Sequence, residues 1–87
     1  MVVSLDEIKQ YLRIDTDAEN DTLATLIDAA ENLCKDVARV DNLEGEIAKI
    51  AVLYTVAYWY EHREDADTHA LTLRLRALLF GVRKEVL

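Results

Sequence analysis

Apolar residues recur every three or four positions along most of this chain, the spacing that places side chains on one face of an α-helix. A first helix is predicted from Ser4 to near Arg13, because Ser4 and Glu7 have the spacing of a capping box. Ile14 is expected to anchor the turn that follows. The apolar face of this helix consists of Leu5, Ile8, Tyr11 and Leu12.

The second predicted helix has the clearest amphipathic pattern in the sequence. One candidate N-cap is Thr16, paired with Glu19. The other is Asp17, paired with Asn20. Because Cys34 lies on the apolar face, we predict a buried core residue there instead of a reactive thiol. That face consists of Leu23, Leu26, Ile27, Ala30, Leu33, Cys34 and Val37.

The third predicted helix is apolar on nearly every side. Asp41 or Asn42 is expected to cap it, Gly45 is tolerated in its first turn, and it should run to about His62. Residues 50–60 lack the polar stripe of a helix with one face in water. This helix is therefore predicted to be central in the fold or shared with a partner.

A polar connector over residues 61–69 leads to the last predicted helix, which Thr68 is expected to cap. Its apolar face consists of Leu71, Leu75, Leu78, Leu79 and Val82. Its basic residues are Arg74, Arg76, Arg83 and Lys84. Gly81 is expected to end this helix early, leaving residues 82–87 as a short C-terminal tail or arm. The four segments predict an all-α fold, a small bundle of about four helices in a single domain over residues 1–87.

The composition supports helices and limits the chain to one domain. A chain of 87 residues has a small core, because domains of this size bury only about two-thirds of their unfolded surface. Proline is absent and only two glycines are present, so the usual turn residues of β-hairpins are missing. The hydrophobic share of 52% is high for this length. The surplus is expected to be buried against other subunits.

The net charge of −7 argues against tight binding to nucleic acid, since affinity for phosphates comes mainly from lysine and arginine. The charge is uneven: residues 1–48 hold twelve acidic and four basic residues, whereas residues 49–87 hold five and six. A solvated acidic half is the simpler explanation of this asymmetry. The alternative is that the opposite charges steer a head-to-tail contact between neighbouring copies.

Cys34 is the only cysteine, so neither an intrachain disulfide nor a multi-cysteine metal site is expected, and a reducing compartment is favoured. The first residues lack the basic leader and long apolar core of a secretory signal. The longest apolar run, residues 50–60, is far shorter than the roughly 20 residues that span a bilayer. No membrane insertion is therefore expected.

The residue types present do not predict catalysis or a cofactor. Ser4 is expected to cap a helix and Cys34 to lie in the core, so no activated nucleophile is evident. One cluster has metal-ligand residue types without a familiar zinc spacing: His62, Asp65, Asp67 and His69. Another lacks the glycine and closing glutamate of a calcium loop: Asp15, Asp17, Glu19 and Asp21. We predict no enzyme activity, no cofactor and no metal site.

Two adjacent aromatic residues indicate contact with another subunit. Trp59 and Tyr60 diverge by about 100° on a helix, so they cannot both face one small core. At least one of them is expected to meet another subunit. The basic residues of the last helix are candidates for contact with DNA phosphates, with a solvated helix face as the alternative.

Three stretches, in this order, resemble the phage head-tail connector family, whose members are also described as DNA-packaging proteins. They are residues 4–15 (SLDEIKQYLRID, with Asp17 after them), 26–31 (LIDAAE) and 57–64 (AYWYEHRE). The resemblance covers about residues 4–80. It implies a helical bundle that assembles into a ring beneath the portal, twelve-fold in the virion, and seals the filled capsid. The ring would offer a platform to the neck or tail completion protein and pass genomic DNA through its centre.

The resemblance also implies a location in the virion neck after assembly in the host bacterial cytoplasm. Within such a ring, the predicted subunit-interface residues are Tyr11, Tyr58, Trp59, Tyr60 and Arg63. The residues predicted to lie near the portal or the DNA are Arg74, Arg76, Arg83 and Lys84. The chain departs from the family pattern because it has no proline before the third helix or after the last one.

Two other functions fit the same residues. One is a small helical adaptor or regulator that binds a single partner protein through the third helix. The other is a DNA-binding regulator that uses the C-terminal bases, whose affinity would fall steeply with salt.

Overall fold

The computed structural model describes residues 2–80, which form four α-helices and no strand. They are α1 (Leu5–Leu12), α2 (Asn20–Ala38), α3 (Gly45–Glu61) and α4 (Thr68–Leu78). This confirms the predicted all-α bundle. The predicted tail over 82–87, with Val82, Arg83 and Lys84, lies outside the described residues. None of the helices in the described part is long and apolar enough to cross a membrane.

Helix α3 lies at the centre of the bundle, as its apolar sequence predicts. It packs against α1, α2 and α4, whereas α1 and α4, as described, do not pack against each other. The core therefore forms between the inner face of α3 and the apolar faces of its neighbours. Its largest fully buried side chains include Ile8, Leu23, Ile27, Val52, Val56, Leu71 and Leu75.

The capping box at the start of α1 is present as predicted. The backbone N–H of Glu7 donates to Ser4 Oγ at 3.1 Å, and the backbone N–H of Ser4 donates to Glu7 Oε1 at 3.1 Å. The chain before this cap is held to α2, because the backbone N–H of Val2 donates to Oε2 of the buried Glu31 at 2.6 Å. The chain that enters α1 is thus fixed to the bundle.

The predicted side-chain caps of α2 are wrong. The helix begins at Asn20 with Glu19 in the N-cap position, and no side chain caps it. The carboxylate of Asp17 accepts instead from Lys9 Nζ at 2.7 Å and from Asn20 Nδ2 at 3.4 Å. The bond to the Lys9 ammonium joins two opposite charges, whereas a bond to a backbone N–H would carry a charge on the acceptor only. Asp17 therefore ties α1 to the start of α2 without capping the helix.

The predicted caps of α3 and α4 are also displaced. Helix α3 starts at Gly45, beyond Asp41 and Asn42, and Gly45 has a φ of +90°, which glycine tolerates because it has no Cβ. Helix α4 is capped by Asp67 instead of Thr68: the backbone N–H of Ala70 donates to Asp67 Oδ1 at 3.0 Å. The helices themselves lie where the apolar periodicity places them.

Candidate functional site

Two predicted interface residues, Tyr60 and Arg63, form a polar cluster within the protomer. The hydroxyl of Tyr60 donates to Glu19 Oε1 at 2.9 Å, and the Arg63 guanidinium forms an ion pair with the same carboxylate. Arg63 also lies over the Tyr60 ring, 4.5 Å from its centroid. Sequence reasoning missed Glu19 as their partner, because no local spacing links positions more than 40 residues apart. The cluster fixes the end of α3 to the start of α2.

The same contacts set the protonation of Glu19. Its pKa is lowered, first by the hydrogen bond from Arg63 and then by that from Tyr60. The pKa of Glu7 is lowered by Lys49 and by the Ser4 cap, and the pKa of Asp17 by Lys9. A carboxyl whose pKa is depressed in the folded state stabilises the fold above its unfolded pKa. That contribution is lost as the pH falls through the folded value.

Acid is therefore expected to destabilise the protein below about pH 4, near the ordinary pKa of these carboxyls. Urea unfolding at neutral and acidic pH measures the loss. The variant Glu19→Gln should have a lower free energy of unfolding than the wild type at neutral pH. Its free energy of unfolding should also fall less on acidification. Glu44→Gln is the matched control, since Glu44 is exposed and its side chain makes no hydrogen bond within the described residues. Equal pH dependence in Glu19→Gln and the wild type would contradict the role of the cluster.

Tyr58 holds the connector that follows α3. Its ring stacks on His62, with centroids 4.3 Å apart, and its hydroxyl accepts from the backbone N–H of Asp67 at 2.8 Å. Asp67 in turn caps α4. His62 and Asp67 of the connector therefore have local structural roles. Among residues 2–80, no group of three or more His, Cys, Asp or Glu side chains is arranged to hold a metal ion.

Trp59 is half-buried and lines an apolar groove of about 430 Å³ on the side of the bundle. The indole N–H makes no hydrogen bond within the described residues. We call this surface the Trp59 groove; it is formed by Thr22, Leu26, Ala29, Trp59, His62, Arg63 and Ala66. A large aromatic side chain beside small apolar residues is typical of the centre of a protein interface.

Helix α3 also leaves apolar surface uncovered elsewhere, as the sequence predicts. Ile47 is 44% exposed and Ile50 is 50% exposed. A second groove, of about 480 Å³, runs over α3 between α1 and α4. Tyr11 of α1, which is 53% exposed, and Tyr54 of α3 both line it. One protomer therefore does not bury all of the apolar perimeter of α3.

The described bases of α4 differ in their surroundings. Arg74 Nη1 donates to the hydroxyl of Tyr54 at 2.7 Å, which holds this guanidinium against α3. Arg76 is exposed and lies beside a shallow groove lined by Asp36 and Arg39, without an ion pair in the described part of the chain. Arg74 is thus held by a partner within the protomer, whereas Arg76 forms no ion pair within the described residues.

Cys34 is fully buried, which confirms its predicted place in the core. Its Sγ lies 3.8 Å from Thr55 Oγ1. Burial raises the pKa of the thiol to about 11, because the thiolate would lose its hydration. The thiol form is therefore dominant at neutral pH.

Cys34 is expected to be inert toward an aromatic disulfide reagent in the folded protein and to react fully once urea unfolds the chain. Absorbance of the released thiolate measures the reaction. Rapid stoichiometric modification of the native protein would contradict the buried placement.

Comparison with known proteins agrees with the ordered motifs of the sequence. A family model described as "Phage gp6-like head-tail connector protein" matches residues 2–86, nearly the whole chain. No curated protein and no solved structure matches the chain.

Proposed function

Because the chain belongs to the phage gp6-like head-tail connector family, we propose that it is one subunit of a homo-oligomeric ring between the portal and the neck or tail completion protein. The family gives the chain a structural role in joining head and tail, and a place in the virion neck. In the proposal the ring is twelve-fold, closes the filled head, and lets genomic DNA pass through its centre. The observation that carries it is the family match over residues 2–86.

The exposed apolar surface supports assembly. Soluble monomers rarely leave large apolar patches in water, and aromatic residues are enriched at protein interfaces. Tyr11, Tyr58 and Trp59 are only partly covered in the protomer, and we propose that they contact a neighbouring subunit. Tyr60 and Arg63 join that contact through the parts of their side chains that the Glu19 cluster leaves exposed.

The charge supports passage of DNA without binding. A net charge of −7 repels phosphate, so DNA would slide through the centre of the ring instead of adhering to it. We propose that three C-terminal bases, Arg74, Arg83 and Lys84, lie near the portal or the DNA. Assembly takes place in the host bacterial cytoplasm, where the single buried thiol of Cys34 needs no oxidising environment.

The proposal is tested with heads of the encoding phage that are produced without this chain. Such heads should package DNA but lose it and fail to accept tails, and purified protein added to them should restore both properties. Glu44→Gln should restore them as well as the wild type, since it alters only an exposed side chain. Heads that retain DNA and become infectious without the chain would overturn the proposal.

A further inference from the structure

We infer that the outer face of α4 docks into the Trp59 groove of a second copy of this chain. We call this face the α4 stripe and define it by Leu73, Arg76, Ala77 and Phe80. The inference deepens the proposed ring and rests on it, since it names the two surfaces through which neighbours meet. It assigns Arg76 to the subunit contact instead of to the portal or the DNA.

The α4 stripe is apolar surface that the protomer does not use. Leu73 is 49% exposed and Phe80 is 65% exposed, and Ala77 between them is also exposed. Leu73 and Ala77 lie one turn apart on the same side of α4, and Phe80 follows in the turn just after the helix ends at Leu78. Leu71 and Leu75, on the opposite side of α4, are instead fully buried in the core. Leu73 and Ala77 therefore lie on the side of α4 opposite the core, with Arg76 at the edge beside Asp36 and Arg39.

The Trp59 groove has a matching repeat. Thr22, Leu26 and Ala29 border it along α2 with i, i+4, i+7 spacing. Seven residues of helix rise about 10 Å, so this row is long enough for Leu73 and Ala77, which lie about 6 Å apart along α4, with Phe80 beyond them. Rows of this kind allow a ridge of one helix to pack into the groove beside another. Trp59 supplies the large aromatic wall against which Leu73 and Phe80 would pack.

The charges of the two surfaces are complementary. Asp21 and Asp28, which adjoin Thr22 and Ala29 in the sequence, are exposed, and the base that lines the groove, Arg63, is already paired with Glu19. In contrast, residues 68–84 contain no acid. Asp21, Asp28 and Arg76 form no ion pair within the described residues. Docking the stripe beside α2 would bring opposite charges together at the rim of an apolar contact, which favours this orientation.

The contact joins two different surfaces that share no residue. Such a heterologous contact leaves one free surface of each kind on every dimer, so it propagates and closes into a ring when the rotation fits. Pairing the stripe with itself would place two copies of Arg76 together, and pairing α2 with itself would place its acids together. Like charges disfavour both two-fold arrangements.

Disulfide trapping tests the contact. Three exposed alanines serve as cysteine sites in a Cys34→Ala background: Ala29 in the groove, Ala77 in the stripe, and Ala18 outside both as the control. The double variant Ala29→Cys/Ala77→Cys should form a ladder of covalent trimers and larger species on oxidation. Mixed single variants at positions 29 and 77 should give about tenfold more cross-linked dimer than the pair 18 and 77, because docking raises the local thiol concentration.

A charge exchange provides a second measurement with exposed residues only. Arg76→Glu alone and Asp28→Arg alone should each weaken self-association, and the double variant should recover part of it. The assigned contact would be overturned if the double variant self-associated no more strongly than the single variant that self-associates least. Cross-linking no higher than that of the Ala18 control would also overturn it.

If heads need the chain but no ladder forms, the contact is wrong and the ring proposal stands. If the ladder forms but heads do not need the chain, the proposed function fails and the contact stands.

Discussion

Leu71→Ala is expected to lower the free energy of unfolding by about 2–5 kcal/mol, the usual range for removing a fully buried leucine side chain from a core. Leu71 lies on the inner face of α4 with no exposed surface, where it joins α4 to the bundle. A domain of this length is stable by roughly 4–13 kcal/mol. The variant should therefore unfold at a much lower urea concentration, measured by helical circular dichroism.

Leu73→Ala is the matched control for this prediction. Leu73 lies two positions further along the same helix and is 49% exposed, so its truncation should change the stability of the protomer by no more than about 0.5 kcal/mol. The same substitution should weaken self-association, because Leu73 belongs to the α4 stripe. Equal losses of folding stability in the two variants would contradict the orientation of α4.

Trp59→Ala is expected to weaken self-association at least about 30-fold, the equivalent of roughly 2 kcal/mol at an aromatic interface residue. Trp59 is half-buried in its own protomer, and the remainder of its surface lines an apolar groove. A neighbouring subunit that covered the groove would remove the exposed part of Trp59 and the rest of the groove surface from water. Sedimentation velocity over a range of concentrations measures the change.

Trp59 also packs against the core, so its loss lowers folding stability to some extent. The variant Trp59→Phe separates the effect on folding stability from the effect on self-association. The phenyl ring keeps much of the packing against the core but offers a smaller aromatic surface to the groove. Its self-association should lie between those of the wild type and Trp59→Ala, while its urea midpoint stays closer to that of the wild type. If Trp59→Ala self-associated as strongly as the wild type, the Trp59 groove would not be part of the interface.

The fold was predictable because apolar periodicity determines which helix faces pack together. The interior of α2 follows this pattern, and Ile27 and Cys34 are buried as their spacing indicates. The first residues of the helices were less predictable, because several polar side chains compete for the free backbone N–H groups of the first turn. Asp17 pairs with Lys9 instead of capping α2, and that choice depends on how the α1–α2 connection folds.

The candidate site was predictable only in part. Trp59 and Tyr60 had to diverge because they are adjacent on one helix, and both are half-buried. The pairing of Tyr60 and Arg63 with Glu19 depends on the antiparallel packing of α2 and α3 and leaves no local signal. The α4 stripe was hidden because Leu73 falls outside the apolar spacing of the inner face, and only its exposure in the folded protomer identifies a second apolar surface.

Electron microscopy of the purified protein with the portal of its phage tests the central claim most directly. We expect ring-shaped density below the portal, built from copies of this chain, with the Trp59 groove of each copy covered by α4 of the next. A single copy bound without rotational symmetry, or no binding in a sample that is strictly monomeric at high concentration, would contradict it.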